Sequence, residues 1–406
     1  MDRIRLALVG CGGMAKAHLD AYQTLRQRGV AWFEIVAVCD PVEGSARAFA
    51  RQTGEFQETP ATVYTDLDAM LARERLHCID TASPHYLHHT IAIACMEAGL
   101  DVMVEKPLGV TMKAARLMCA CAERTKRILA TAEQVRRWLG PRAVKWALDQ
   151  GLIGRPQFFF MHSSGGVSTR SPDATEPVGT FTWRHDKLTG GGGGVFDAGV
   201  HHADLLLYLF GEVEAVYAFT GTVNPVPLRK PDGSLTVATI EDTTVAHLTF
   251  ANGVVGTWTW PGSRGHRISY LVYYGSHGSI FSEQGYPLMP RLERWNGEVI
   301  EPDNLKRMYI DSLDAETRER LFPRVVVEDP VTAEGDYGVA LECYDYLCAV
   351  RDRRPPELDG WAGLRAQAIP EGFFESSHLR QAVRIEDVVN GTVDGYQREI
   401  NERLGL

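Results

Sequence analysis

The sequence contains no uninterrupted apolar run of about 18 residues, the length a bilayer-spanning helix needs, which excludes a helical membrane span. It also lacks any Cys-x-x-Cys pair, although it holds eight cysteines. Several of these lie in apolar surroundings, as Cys39 does, which predicts buried free thiols and a reducing, cytoplasmic compartment. The histidine doublets His88-His89 and His201-His202 are adjacent, whereas helical metal ligands stand three or four apart, so no metal is expected. Basic charge is in deficit, with 42 Lys and Arg against 52 Asp and Glu and a net charge of −10. Nucleic acid and anionic membrane surfaces are poor partners for such a chain. The N-terminus passes from Met1-Asp2-Arg3-Ile4-Arg5 straight into the strand-like run 6–9, so no signal peptide is expected.

What is present is ordinary for a globular enzyme: 406 residues, 45% hydrophobic and 23% charged, a length that predicts two domains. The β-type run 5–9 leads into Gly10-Cys11-Gly12-Gly13-Met14-Ala15, a G-x-G-x-x-A pattern directly before a helix-compatible segment. Gly10 permits the tight turn, Gly12 lets backbone approach a pyrophosphate, and Ala15 permits close helix–strand packing. The helix start offers N–H groups and partial positive charge to phosphates. A second strand, 33–39, ends at Asp40, somewhat beyond the usual spacing of about 20 residues, with the loop 27–32 absorbing the difference. A carboxylate there accepts from both ribose hydroxyls and repels a 2′-phosphate, so NAD is preferred over NADP.

Strand and helix patterns continue to alternate through 44–132, which predicts a doubly wound parallel sheet. One strand, 102–104, stops at Glu105-Lys106-Pro107. A lysine at the carboxyl end of such a strand stands where open α/β sheets hold their ligands. Pro107 biases Lys106 towards extended geometry. A boundary at 132/133 separates this dinucleotide-binding domain, 1–132, from a second domain, 133–406. The stretch 163–182 is polar and rich in Gly, Pro and Ser, and reads as a loop or lid. Trp183-Arg184 ends it, and five glycines follow at 190–194, which fit close approach to a ligand or plain flexibility. A helix over 195–210 then carries Asp197, His201 and Asp204 near one face, with His202 off it. Asp197 and His201 make a plausible acid/base pair, the carboxylate orienting the ring. Strand patterns at 213–220, 243–250, 254–260, 267–274 and 279–281, with an Asn252-Gly253 turn, predict an α+β domain with a large, mostly antiparallel open sheet. A late helix is expected at 340–350. The stretch 287–334 yields no pattern.

The glycine motif, Ser83-Pro84 with His88, Glu105-Lys106-Pro107, and the set Gly-Gly-Gly, Asp197-x-Gly199-x-His201 and Asp204 resemble the Gfo/Idh/MocA family. Ser83 and His85 depart mildly from the family's usual Thr-Pro-Asn. The likeness covers about the first 280 residues and fades afterwards. It implies an N-terminal Rossmann domain and an NAD(P)-dependent oxidoreductase of sugars, sugar derivatives or cyclitols. It implies that Lys106 lies beside nicotinamide and substrate, and that the residues 83–88 border the cofactor. The expected catalytic set is Lys106, His201 and Asp197, with Asp204 structural. The expected cofactor set is Gly10, Gly12, Gly13, Met14, Ala15, Asp40, Ser83, Pro84, His85, His88, Glu105, Lys106, Trp183 and Arg184. A homodimer or tetramer formed through the second sheet is also implied. A redox-assisted glycosidase would need much the same residues, and a non-catalytic dinucleotide sensor would be expected to lack Lys106 or the Asp197/His201 pair.

Overall fold

The computed structural model describes residues 3–163, 180–225, 227–262, 268–283, 286–333 and 337–406. The expected loop 163–182 therefore lies almost wholly outside the described residues, as does Arg267 at the start of the strand expected there. The chain forms two compact units. The first comprises Met1–Gly109, Ala114–Arg137 and Asp314–Leu364, and the second Val110–Lys113, Trp138–Leu313 and Arg365–Leu406.

In the first unit six short strands form one parallel sheet: β1 (Ile4–Val9), β2 (Phe33–Cys39), β3 (Thr62–Tyr64), β4 (Cys78–Thr81), β5 (Asp101–Glu105) and β6 (Leu129–Ala132). Their order is β3-β2-β1-β4-β5-β6. β4, β5 and β6 are buried at every position, so they show no alternation, and the carboxylates of Asp80, Asp101 and Glu105 are buried along with their apolar neighbours. The order reverses between β1 and β4, and the carboxyl ends of those strands flank the crevice where such sheets bind ligands.

A single cut at 132/133 does not describe the first unit, because residues 314–364 return to it. The late helix, Tyr337–Asp352, is longer than expected and is buried on nearly every side. Tyr346 donates its hydroxyl to the Ile79 carbonyl at 2.8 Å, Arg28 donates to the Val326 carbonyl at 2.7 Å, and the Arg351 guanidinium lies 4.5 Å from the Trp32 ring centroid. These contacts join residues far apart in sequence, so no local pattern announced them.

The second unit is built on a nine-stranded mixed sheet. Its strands are β7 (Pro156–Ser163), β8 (Val213–Gly221), β11 (Thr243–Phe250), β12 (Val255–Trp260), β13 (Ser269–Gly275), β14 (Gly278–Ser282), β15 (Arg291–Arg294), β16 (Val299–Ile300) and β17 (Val383–Arg384), while β9 (Pro227–Arg229) and β10 (Leu235–Val237) pair separately. The order is β16-β15-β14-β13-β7-β12-β11-β8-β17, antiparallel throughout except for β7 beside β12. β11 alternates strictly, burying Ala246, Leu248 and Phe250 on one face. That face carries the core, with Phe159, Trp258 and Tyr273 fully buried. On the other face Tyr217 and Phe219 are 53% and 55% exposed.

Candidate active site

β1 is followed directly by Gly10, whose φ is +86°. A Cβ there would stand 2.9 Å from the Ala82 carbonyl oxygen, so both the backbone conformation and the close approach of the β4 loop call for glycine. Gly12 and Gly13 instead have open space where a Cβ would go. The helix Gly13–Gln27 begins at this point, and no side chain caps its first N–H groups. Uncapped N–H groups beside unobstructed backbone fit a pyrophosphate. Ala15 is buried in the first turn, where a larger side chain would push the helix away from the sheet. Asp40 follows β2 directly: its Oδ2 accepts from the Cys11 N–H at 2.7 Å and its Oδ1 from the Val42 N–H at 2.8 Å. The carboxylate thus braces the glycine turn.

The carboxyl ends of β4 and β5 continue this rim. Ser83 and Pro84 lead into a short turn of 3₁₀ helix, His85–Leu87, and His85 is buried. His88 is wholly buried, with Nε2 2.9 Å from the Ser83 carbonyl and Nδ1 3.0 Å from the Pro107 carbonyl. Carbonyl oxygens at both ring nitrogens would favour a second proton. Burial outweighs them and, with His85 nearby, holds the pKa down at about 4. His88 is therefore a neutral strut between the two loops. The rim runs without a break from Gly10 through Ala82, Ser83 and His88 to Pro107. Lys106 lies on it, half-buried and joined to Pro107 by a cis peptide bond.

Beneath Lys106 is a buried polar cluster that no motif announced. Glu105, the last residue of β5, has its Oε1 3.2 Å from Nε2 of His18 on the first helix. Nδ1 of His18 is 2.8 Å from Asp80 Oδ2 on β4, and Tyr22 donates to the same oxygen at 2.9 Å. Glu342, from the returning helix, brings Oε1 to 3.6 Å from His18 Nε2. Burial alone would strip the His18 proton, but the Asp80 charge and the hydrogen bonds to Asp80 and Glu105 outweigh it and lift the pKa well above its usual range. Burial likewise lifts the Glu342 carboxyl well above the carboxylate range, although the His18 charge opposes it. The donor atoms of His18, Glu105 and Glu342 lie within 4.8 Å of one another, as do those of His18, Asp80 and Cys343. These sets differ from the histidine doublets singled out in the sequence. His18 was legible in principle, since it shares the helix's buried face with Ala15, Leu19 and Tyr22. Glu342 was not, because only the fold brings its helix here.

In the second unit the helix expected over 195–210 is two, Gly194–Asp197 and Gly199–Phe210, with a turn at Ala198. Asp197 ends the first and accepts from Nε of Arg184 at 3.0 Å. Arg184 lies in the short turn Trp183–His185 and places its guanidinium 4.2 Å from the Trp183 ring centroid. Of the two residues expected in the cofactor set from this unit, Arg184 thus meets an expected catalytic carboxylate, and Trp183 meets Arg184. His201 is buried on the second helix with its ring edge-on to Tyr286, at 6.2 Å between centroids. His202 stacks on Tyr286 at 4.4 Å and lies against Trp258 and Trp260, so it belongs to an aromatic core. Asp204 is buried.

The glycine run is neither a flexible hinge nor a cradle. Gly190 to Gly193 are buried, and a Cβ at Gly191 would meet Phe196, at Gly192 Phe374, and at Gly193 the Glu241 backbone. Glu241 also accepts the Gly193 N–H at 2.6 Å and has its own pKa raised to about 7 by burial. Small residues are needed because the chain packs tightly on itself.

Two family models match. One, described as "Oxidoreductase family, NAD-binding Rossmann fold", covers residues 4–133, and the other, "GFO/IDH/MocA C-terminal domain", covers residues 142–281. Among named relatives, a levoglucosan dehydrogenase of Pseudarthrobacter phenanthrenivorans is 28% identical over 69% of this chain and 73% of its own length. A D-apiose dehydrogenase of Paraburkholderia graminis is 32% identical over 55% of this chain, and the match spans 54% of that protein. A solved levoglucosan dehydrogenase in complex with NADH and levoglucosan has the same fold, with a TM-score of 0.75 at 22% identity, covering 95% of this chain and 100% of that one.

Proposed function

Since this chain belongs to the Gfo/Idh/MocA oxidoreductases, matched over both their NAD-binding and C-terminal parts, we propose that it interconverts a secondary hydroxyl and a ketone on a sugar, sugar derivative or cyclitol. The observation that carries this reading is the continuous rim that joins the glycine turn to Lys106. NAD, when bound, supplies the two-electron acceptor or donor. Gly12 and Gly13 leave room for its pyrophosphate, and Asp40 takes the ribose hydroxyls. Lys106 holds the reacting hydroxyl. His201 receives the hydroxyl proton, and Asp197, held by Arg184, binds neighbouring substrate hydroxyls and orients the imidazole. The sugars named for the relatives set the substrate class for a first panel.

The test is a panel of levoglucosan, D-apiose, a methyl glucoside and myo-inositol with NAD, followed by NADH absorbance. Net NADH with at least one compound is expected. Lys106→Ala should lower kcat by about 10²-fold, the upper end of what a hydrogen bond to a charged group is worth, while NAD affinity changes by less than about threefold. Near-wild-type turnover in that variant sinks the assignment of Lys106. Cleavage of a glycosidic bond without NADH accumulation would instead mark a redox-assisted glycosidase.

We also infer a reducing, cytoplasmic setting, supported by eight cysteines that are all free and buried. Among the described residues no helix is long and apolar enough to cross a membrane. Self-association through the exposed face of the nine-stranded sheet is supported by the aromatic side chains of Tyr217 and Phe219 standing in solvent.

A further inference from the structure

We propose that His18 is a positioning residue for Lys106, acting through Glu105 and braced by Asp80 and Glu342. The inference deepens the function proposed above and rests on Lys106 being the group that holds the reacting hydroxyl.

The geometry is that of a frame under a strand end. Glu105 closes β5, and the next residue is Lys106. Glu105 is 4% exposed and its carboxylate meets His18 Nε2 at 3.2 Å, so the last strand residue before Lys106 is anchored by a charge-assisted contact. The ring cannot swing away, because Nδ1 is held at 2.8 Å by Asp80, itself fixed by Tyr22. Glu342 lies at 3.6 Å on the open side of Nε2, and neither of its oxygens has a hydrogen-bond partner among the described residues. A buried carboxyl in that state is costly unless it serves a nearby charge. Here the nearby charge is the His18 ring, shared among three carboxyl groups.

The groups facing His18 come from four elements. They are Tyr22 on its own helix, Asp80 on β4, Glu105 on β5, and Glu342 with Cys343 on the returning helix. Arg137 and Glu133 act on Glu342 from further off. With His18 protonated and Glu342 neutral, one positive charge stands between the Asp80 and Glu105 carboxylates, and the residue after Glu105 is the lysine. Removing that positive charge leaves the carboxylates uncompensated, which favours the ammonium form of Lys106. The frame therefore sets both the direction of Lys106 and the pH at which it titrates.

Two variants separate these roles. Gln at position 18 places an amide near the site of Nε2 and can still donate to Glu105; Asn keeps the reach to Asp80 but falls short of Glu105. In His18→Asn, kcat should fall about tenfold or more, the worth of one hydrogen bond to a charged group, with KM for NAD changed less than about threefold. His18→Gln should recover most of that loss. The Lys106 titration, followed by NMR of the dimethylated lysine in the cofactor-free protein with Lys106→Arg as the assignment control, should move upward in both variants. Equal kcat losses in the two variants with an unmoved titration, whatever happens to Tm, overturn the proposal. The titration needs no substrate, so it judges the frame even if Lys106→Ala proves active and the proposed function falls.

Discussion

Gly10 shows how much one missing side chain can decide. Its positive φ and its approach to Ala82 leave no room for a methyl group, and backbone strain of this kind costs about 1–3 kcal/mol. Gly10→Ala should therefore weaken NAD binding about tenfold or more by fluorescence titration, whereas Gly13→Ala, with open space at its Cβ, should lose affinity only by crowding the pyrophosphate and should leave Tm unchanged. Unchanged NAD affinity in Gly10→Ala would mean that the turn does not shape the site. At this scale the sequence was highly legible. Gly10, Asp40 and the Glu105-Lys106-Pro107 triplet act through their own backbone and their nearest strand, and strand–turn–helix context exposes them. His18, Asp80 and Glu342 were missed because their meaning lies in each other, across 62 and 324 residues of chain.

The glycine run belongs to the scale of the element. Five consecutive glycines suggested close approach to a ligand or plain flexibility, yet the structure shows a turn wedged between Phe196, Phe374 and Glu241. A sequence carries no sign of what lies opposite a glycine, and so tight packing and looseness look alike in it. Glu241 makes this element sensitive to pH. Its pKa is raised from 4.5 to about 7, so the folded state holds the proton more tightly than the unfolded chain does. Stability contributed by that proton is present below about pH 4.5 and is lost as the pH climbs through about 7. Glu371, Glu375 and Tyr396 surround the same turn and share its field. Glu241→Gln keeps an acceptor for the Gly193 N–H but cannot ionise. Relative to the wild type, its Tm should be more favourable at pH 8 than at pH 5, and an equal difference at both values would refute a titrating Glu241. The split of the expected 195–210 helix has a similar origin, since Asp197 is drawn to Arg184 and Ala198 takes the turn.

At the scale of the whole molecule, the strand patterns foretold both sheets, because alternation and continuous burial leave distinct marks. What they could not foretell was which segments share a core. Every cysteine is buried, and burial pushes the Cys11, Cys95 and Cys119 thiols up to about 12, far from the reactive thiolate. Native protein should therefore react negligibly with a thiol reagent over minutes and release eight equivalents in guanidinium; rapid labelling of the native state would contradict this packing. Phe219→Glu, on the exposed sheet face, should reduce the mass measured by light scattering without lowering NAD affinity, if copies pair there.

The return of residues 314–364 to the first unit bears on how such proteins can be recombined. A chimera joined at 132/133 would take its glycine turn from one parent and the helix beneath His18 from another. The buried carboxyl of Glu342 and the Tyr346 bond to Ile79 would then be left to chance. An exchange of substrate-binding halves must carry two pieces of chain with the cofactor half, one from each side of the gap, so that heredity here follows the core and not the order of the letters.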